Sequence, residues 1–303
     1  MERYKGNGFE ISKLGLGCMR MSVPIPSNRK ENIKTIHAAL DEGINLINTG
    51  DFYGFFGHNE KLIGEALKGK KREQAFISLK YGRFNPLLMK MDVGPKHVKK
   101  FIKKSLFNLK LDYVDLYQPA RIDMGIPFEE SIEPIKELIK EGCVKHLGLS
   151  EVDEDTLKKV HAIHPVALVE SEISITNNEI ENTIIPTAEE LGIGIVGFGI
   201  FAFGKLLKNN NDPLVITLQT IAAEKDVSIA QIVHAWILKK SDNMIPLIGT
   251  RKANRLKDTI KCLNINFTDE DQDRIKIAIQ NSSIMGRNAP KLIVTNGKMK
   301  MIK

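Results

Sequence analysis

The sequence predicts an α/β chain folded as one (β/α)8 barrel behind a small N-terminal hairpin. Three observations lead there. Short apolar runs alternate with longer stretches of helical period, and the runs fall at 14–17, 44–48, 75–80, 113–118, 144–150, 166–170, 193–198 and 244–249. They are rich in β-branched residues and almost continuously apolar, which is the pattern of parallel strands covered by helices on the outside and packed within. The 303 residues are also a length that such a barrel occupies as a single domain.

Each element has its own signal. "YKGNGFEI", starting at Tyr4, reads as a hairpin whose KGNG turn closes the bottom of the barrel. Asn28 with Glu31 three residues on has capping-box spacing; Ile33, Ile36 and Leu40 form one stripe, and Gly43 stops the helix. Pro95 opens a helix that turns Val98, Ile102, Leu106 and Leu109 inward. "PFEESIEPIKELIKEG" carries Ile132, Ile135 and Ile139 and ends at Gly142. Residues 1–282 are therefore expected to form one barrel domain, and 283–303, with weak periodicity, a loose C-terminal tail. Gly192, Gly194 and Gly197 spell G-x-G-x-x-G, but the motif opens a strand instead of joining a strand to a helix. It reads as a helix stop and tight strand packing, not as a phosphate cradle.

The composition, 42% hydrophobic and 27% charged, suits a soluble globular enzyme. No apolar run reaches the roughly 18 residues of a membrane span, and residues 1–25 lack a signal-peptide pattern. Cys18, Cys143 and Cys262 show neither metal nor redox spacing, which fits reduced thiols in the cytoplasm. The net charge of +7 is spread over outer helix faces without interleaved aromatics. That predicts a solvated surface and no nucleic-acid or membrane partner, while favouring a small anionic ligand.

In parallel barrels the reactive groups project from the C-terminal ends of the strands. Lys80 ends the buried run "AFISL", and Tyr53 follows the run "INLIN". A cationic lysine beside a tyrosine stabilises the phenolate, so the pair could act as a general acid in carbonyl reduction. A snorkelling lysine and a core tyrosine account for the spacing equally well.

Seven segments, "LGLGCMRMS", "LINTGDFYGFFGHNEKLIGEAL", "ISLKYG", "DYVDLYQPARID", "KEGCVKHLGLSE", "ELGIGIVGFG" and "IPLIGTRKANRLKD", resemble the aldo-keto reductases in that order. The resemblance implies a barrel that binds NADP(H) extended, without a Rossmann motif, and passes hydride to an aldehyde or ketone. It makes Tyr53 the proton donor and Lys80 the lysine that lowers its pKa. Asn48 stands where the family has the aspartate paired with that lysine, and Ala120 where it usually has a histidine. "QPAR" itself resembles a histidine-lacking branch with "RPAR" at this point.

The same resemblance assigns the cofactor positions. Gly17, Cys18 and Met19 follow the first strand. Ser150 and Glu151 stand beside the nicotinamide carboxamide, Glu170 replaces a common glutamine there, and Phe198 replaces a stacking tyrosine. Thr250, Arg251 and Arg255 resemble the group gripping the adenosine 2'-phosphate, whose two arginines favour NADP(H); Thr259 replaces a frequent adenine-binding asparagine, and Gly249 and Asp258 count among the cofactor positions beside them. With an amide at Asn48, Lys80 is expected to lack its built-in counter-ion, and Asp51 to point at solvent. Restoring a carboxylate at position 48 should then raise turnover. A second reading is an impaired nicotinamide-binding sensor or partner subunit. A third, a barrel for a phosphorylated sugar without nicotinamide, is opposed by the ordered match. Loops 81–96, 121–127 and 200–213 are expected to face the carbonyl substrate.

Overall fold

The computed structural model describes residues 1–23, 27–85, 87–284 and 291–302. Eight parallel strands close into a (β/α)8, or TIM, barrel in chain order: Gly15–Gly17, Leu46–Gly50, Phe76–Tyr81, Val114–Pro119, Val144–Ser150, Val166–Glu172, Gly194–Phe198 and Met244–Ile248. They are called barrel strands one to eight below. Strand one pairs with both strand two and strand eight, so the sheet has no edge. Strands two, three and six run up to two residues beyond the apolar runs that predicted them. Their last residues, such as Thr49-Gly50 and Ser171-Glu172, are too small or too polar to read as strand, yet barrel closure pairs them.

The helices use the signals in the sequence. Asn28 accepts a hydrogen bond from the Glu31 amide at 3.0 Å and starts the helix Arg29–Asp41, while Gly43 turns away with φ of 86°. Gly64, in the helix His58–Ala66, faces the end of the next helix, Pro95–Leu109. A Cβ there would lie 2.1 Å from the Leu109 carbonyl oxygen, so only glycine allows this approach. The G-x-G-x-x-G sequence spans the turn at Gly192 and the body of strand seven. Tyr4 donates its hydroxyl to the Gly192 carbonyl at 2.8 Å, and Gly194 makes room for Leu168 and Tyr4.

Tyr4 belongs to the N-terminal hairpin Arg3–Gly6 and Phe9–Ser12. With Ile11 it packs against Leu46, Phe76, Leu116, Leu168, Val196 and Ile245, one inward side chain from most of the strands. This apolar plug fills the bottom of the barrel and leaves polar inward positions only nearer the top.

The C-terminal segment departs from expectation. Residues 291–302, predicted as part of a loose tail, form a hairpin of Lys291–Thr295 and Lys298–Ile302. Lys298 pairs with Lys90, which joins the hairpin to the strands Arg83–Asn85 and Lys90–Asp92 in a four-stranded sheet beyond barrel strand three. Asp123 holds the hairpin's turn: its carboxylate accepts from the amides of Asn296 and Gly297, each at 2.7 Å. The turn was legible after all, since Asn296-Gly297 between alternating apolar residues is a strong hairpin signal. Both residues have positive φ, as that turn requires. Residues 285–290 of the predicted tail lie outside the described residues.

Candidate active site

Above the plug, the inward positions of strands two, three, four and six turn polar. Asn48, Ser78, Lys80, Gln118 and Glu170 are all buried. Barrel closure, not sequence proximity, brings them together. Lys80 Nζ forms a buried ion pair with the Glu170 carboxylate and donates to Asn48 Oδ1 at 3.1 Å. Asn48 in turn donates through Nδ2 to Glu170 Oε2 at 2.7 Å, and Gln118 donates to the same oxygen at 2.8 Å. A lysine, two amides and one carboxylate thus form a closed network in which each partner has a complementary group.

The sequence left Lys80 without a counter-ion, and the structure corrects this. Glu170 supplies the charge from across the barrel. It was expected beside the nicotinamide carboxamide, but both of its oxygens are directed into the lysine cluster. Burial alone would strip the proton from Lys80; Glu170 and the Tyr53 hydroxyl outweigh burial and raise its pKa above the ordinary lysine value.

Tyr53 stands on the loop after strand two, with Lys80 Nζ 5.7 Å from its ring centroid. Its pKa is raised, chiefly by burial, while Lys80 pulls it down and Glu170 pushes it up. The phenol therefore carries its proton at neutral pH, with a cation beside its ring. Phe52 meets the Tyr53 ring edge-on at 4.9 Å between centroids, and Gly50 leaves the space beneath.

Asp51 does not point to solvent as expected. It is half-buried and accepts the Gly82 amide at 3.2 Å, and burial lifts its pKa to about 7. Ala120 is buried at the end of strand four, where its amide donates to the Tyr81 carbonyl and its methyl leaves the histidine position unfilled.

The positions assigned to the cofactor divide into two groups. Ser150 is buried at the top of strand five, Phe198 ends strand seven with its ring edge-on to Phe203, and Met19 is exposed beyond Gly17. Arg251 and Arg255 are exposed and make no ion pair among the described residues, so both guanidinium groups are open to a phosphate. Other side chains in this set are engaged with the protein. Cys18 is buried, its thiol pushed up to about 12. Thr250 accepts from the Lys252 amide, Thr259 donates to the Arg255 carbonyl, and Asp258 accepts from Ser228 and Gln231. Gly249 follows strand eight with open space above its Cα.

Sequence reasoning missed Gln118 and Ser78 as members of the site, and placed Arg121 at a strand end without giving it a role. The signal for the first two was their inward parity, two residues beyond the inward apolar Leu116 and Phe76. Arg121 lies against the mouth, donating to the carbonyls of Ala120 and Leu292 and pairing with Glu151 at 3.4 Å. Burial lowers its pKa to about 10, opposed by Glu170, Glu172 and Tyr53, so a cation faces the cluster from above.

A sequence model of the aldo/keto reductase family matches residues 13–280. The chain belongs to the aldo/keto reductase family. A probable aldo-keto reductase of Glycine max is 33% identical over 92% of this chain and 88% of its own length. Among solved structures, a thermostable aldo-keto reductase in complex with the inhibitor epalrestat superposes with a TM-score of 0.77 at 25% identity, covering 93% of this chain and 100% of that one. The glycerol dehydrogenase of Gluconobacter oxydans shares the fold with a TM-score of 0.81 at 24% identity, covering 93% of this chain and 96% of that one. Aldo/keto reductases are nicotinamide-dependent oxidoreductases of small carbonyl compounds, and this chain has their barrel.

Proposed function

We propose that this aldo/keto reductase reduces an aldehyde or ketone with NADPH, using Tyr53 as proton donor and Lys80 as the cation that tunes it. The observation that carries the reading is the buried Lys80, held charged by Glu170 and standing 5.7 Å from the centre of the Tyr53 ring. The cofactor positions fit the nucleotide in part. Arg251 and Arg255 would hold the 2'-phosphate, Phe198 would offer a flat apolar face, and Ser150 would donate to the carboxamide. Glu170 would not take part, because its oxygens are committed to Lys80, Asn48 and Gln118.

When bound, the reduced nicotinamide supplies the hydride. The chain's own residues do the rest. A carbonyl oxygen seated against Tyr53 accepts the phenolic proton as negative charge develops on it. Lys80 lowers the cost of the phenolate left behind, and Glu170 keeps Lys80 cationic in a buried position where it would otherwise turn neutral. Ala120 contributes no second donor to that oxygen but widens the pocket. The exposed apolar side chains Phe55, Phe56, Leu87, Leu88, Met124 and Phe203 follow strands two, three, four and seven. They favour a carbonyl compound with an apolar body.

The test is to titrate the purified protein with NADPH and then add a panel of aldehydes and ketones, following cofactor absorbance. The reading expects turnover that Tyr53→Phe lowers by about 10²-fold or more. NADPH binding without turnover on any of the panel would favour the sensor role instead.

A further inference from the structure

We propose that Glu170 is the positioning counter-ion of Lys80, so that the carboxylate supporting the catalytic lysine stands on barrel strand six, and the second-strand position, Asn48, holds the complementary amide. The inference rests on the reading of Tyr53 and Lys80 as an acid pair.

Three features of the cluster carry it. First, Lys80 is 5% exposed, and Glu170, itself 2% exposed, is the carboxylate that reaches its ammonium. Second, the donors around Glu170 are all arranged for a charged acceptor: Lys80 on one oxygen, and the amides of Asn48 and Gln118 on the other. A carboxylate accepts only, so three converging donors satisfy it fully without water. Third, Asn48 is oriented by the pair. Its oxygen accepts from Lys80 while its nitrogen donates to Glu170, so the amide can take only one of its two orientations.

The polarity of this network can be inverted as a unit. In Glu170→Gln, the new amide nitrogen would face either the Lys80 ammonium or two donors, Asn48 Nδ2 and Gln118 Nε2. Turning Asn48 to relieve one clash would aim its nitrogen at the Lys80 ammonium. The cation would then have no carboxylate and a poorer acceptor shell, and a buried lysine in that state gives up its proton. Adding Asn48→Asp to Glu170→Gln restores the contacts around Lys80. The new carboxylate accepts from Lys80 and from the new amide nitrogen. Gln118 turns its amide over and presents Oε1, which is buried and without a hydrogen-bond partner in the native arrangement. The reversed network again gives Lys80 a carboxylate, with the same net charge.

The experiment follows Lys80 directly, by NMR titration of labelled lysine side chains with Lys80→Met identifying the signal, alongside aldehyde turnover. The expected result is that Glu170→Gln brings Lys80 into the range where it titrates at neutral to mildly alkaline pH and lowers Tyr53-dependent turnover roughly 10²-fold. Asn48→Asp in that background should return the lysine to its native titration and the rate to within about tenfold of the native protein. A purely structural role for Glu170 would not be rescued by a carboxylate on another strand. Should Glu170→Gln fail to fold, the double variant decides: a folded double variant with a neutral Lys80 overturns the proposal. So does a Lys80 that stays charged in Glu170→Gln. Native turnover indifferent to Tyr53→Phe would instead overturn the acid-pair reading, while the lysine titration still tests the counter-ion.

Discussion

The single substitution Asn48→Asp separates the site read from sequence from the site in the structure. If Lys80 lacked a counter-ion, a carboxylate at position 48 would raise turnover. With Glu170 in place, the same change should give no gain. The Asn48 oxygen is 3.1 Å from Lys80 Nζ, so a new carboxylate there would gain about 5 kcal/mol of attraction at an effective dielectric of about 20. The Asn48 nitrogen, however, is 2.7 Å from Glu170 Oε2, and a second negative oxygen at that distance would cost about 6 kcal/mol on the same scale. The two terms nearly cancel. Burial then decides, and it favours the neutral acid, as for paired carboxyls that cannot both ionise. The protonated acid also matches the native amide: its hydroxyl donates to Glu170 and its carbonyl accepts from Lys80. The variant should therefore fold, keep its rate within about threefold at neutral pH, and show a carboxylic-acid band in its infrared difference spectrum. Because the new carboxyl is buried beside the Glu170 carboxylate, its own ionisation should be displaced upward from the ordinary carboxylate range. A tenfold rise in turnover at neutral pH, or a fully ionised new carboxyl, would refute the argument.

Arg255→Ala should remove most of any preference for NADPH over NADH. Losing one charge-assisted bond of about 1.5–3 kcal/mol corresponds to roughly 10- to 150-fold in affinity, and equal binding of both cofactors by the native protein would contradict it. Asp51→Asn should stabilise the protein more at pH 8 than at pH 5. The folded-state pKa of about 7 lies above the unfolded value, so native Asp51 loses stability as pH rises between the two. For a half-buried group the difference should be about 1–2 kcal/mol, and thermal unfolding showing the same gain at both values would count against it. A thiol reagent should modify Cys143 in the folded protein well before Cys18 and Cys262, whose thiols burial pushes up to about 12. Denatured protein should then yield three reactive thiols, and fewer would reveal a linkage that the structure does not contain.

The barrel was legible because its determinants are local. A run such as 193–198, Ile-Gly-Ile-Val-Gly-Phe, has no polar side chain, and that pattern allows little besides a strand covered on both sides. Asn28, Gly43 and Pro95 mark helix ends through their own backbone chemistry. The C-terminal hairpin was also local, with Asn296-Gly297 as its turn, but its strands are stabilised by Lys90 and Asp123, which no spacing reveals. The catalytic charges are a different kind of problem. Lys80 lies 32 positions from Asn48 and 90 from Glu170, so its partners are chosen by how strands two, three and six face one another across the closed barrel. Residue type alone made Asn48 look like a loss and Glu170 like an altered cofactor contact. Each reading treats a position by itself. The physical unit is the network, in which a buried cation needs one carboxylate within reach, and the strand that supplies it matters less than the fit of every donor around it. An amide on one strand and a carboxylate on another preserve that requirement together, although each position, read alone, departs from the family's pattern.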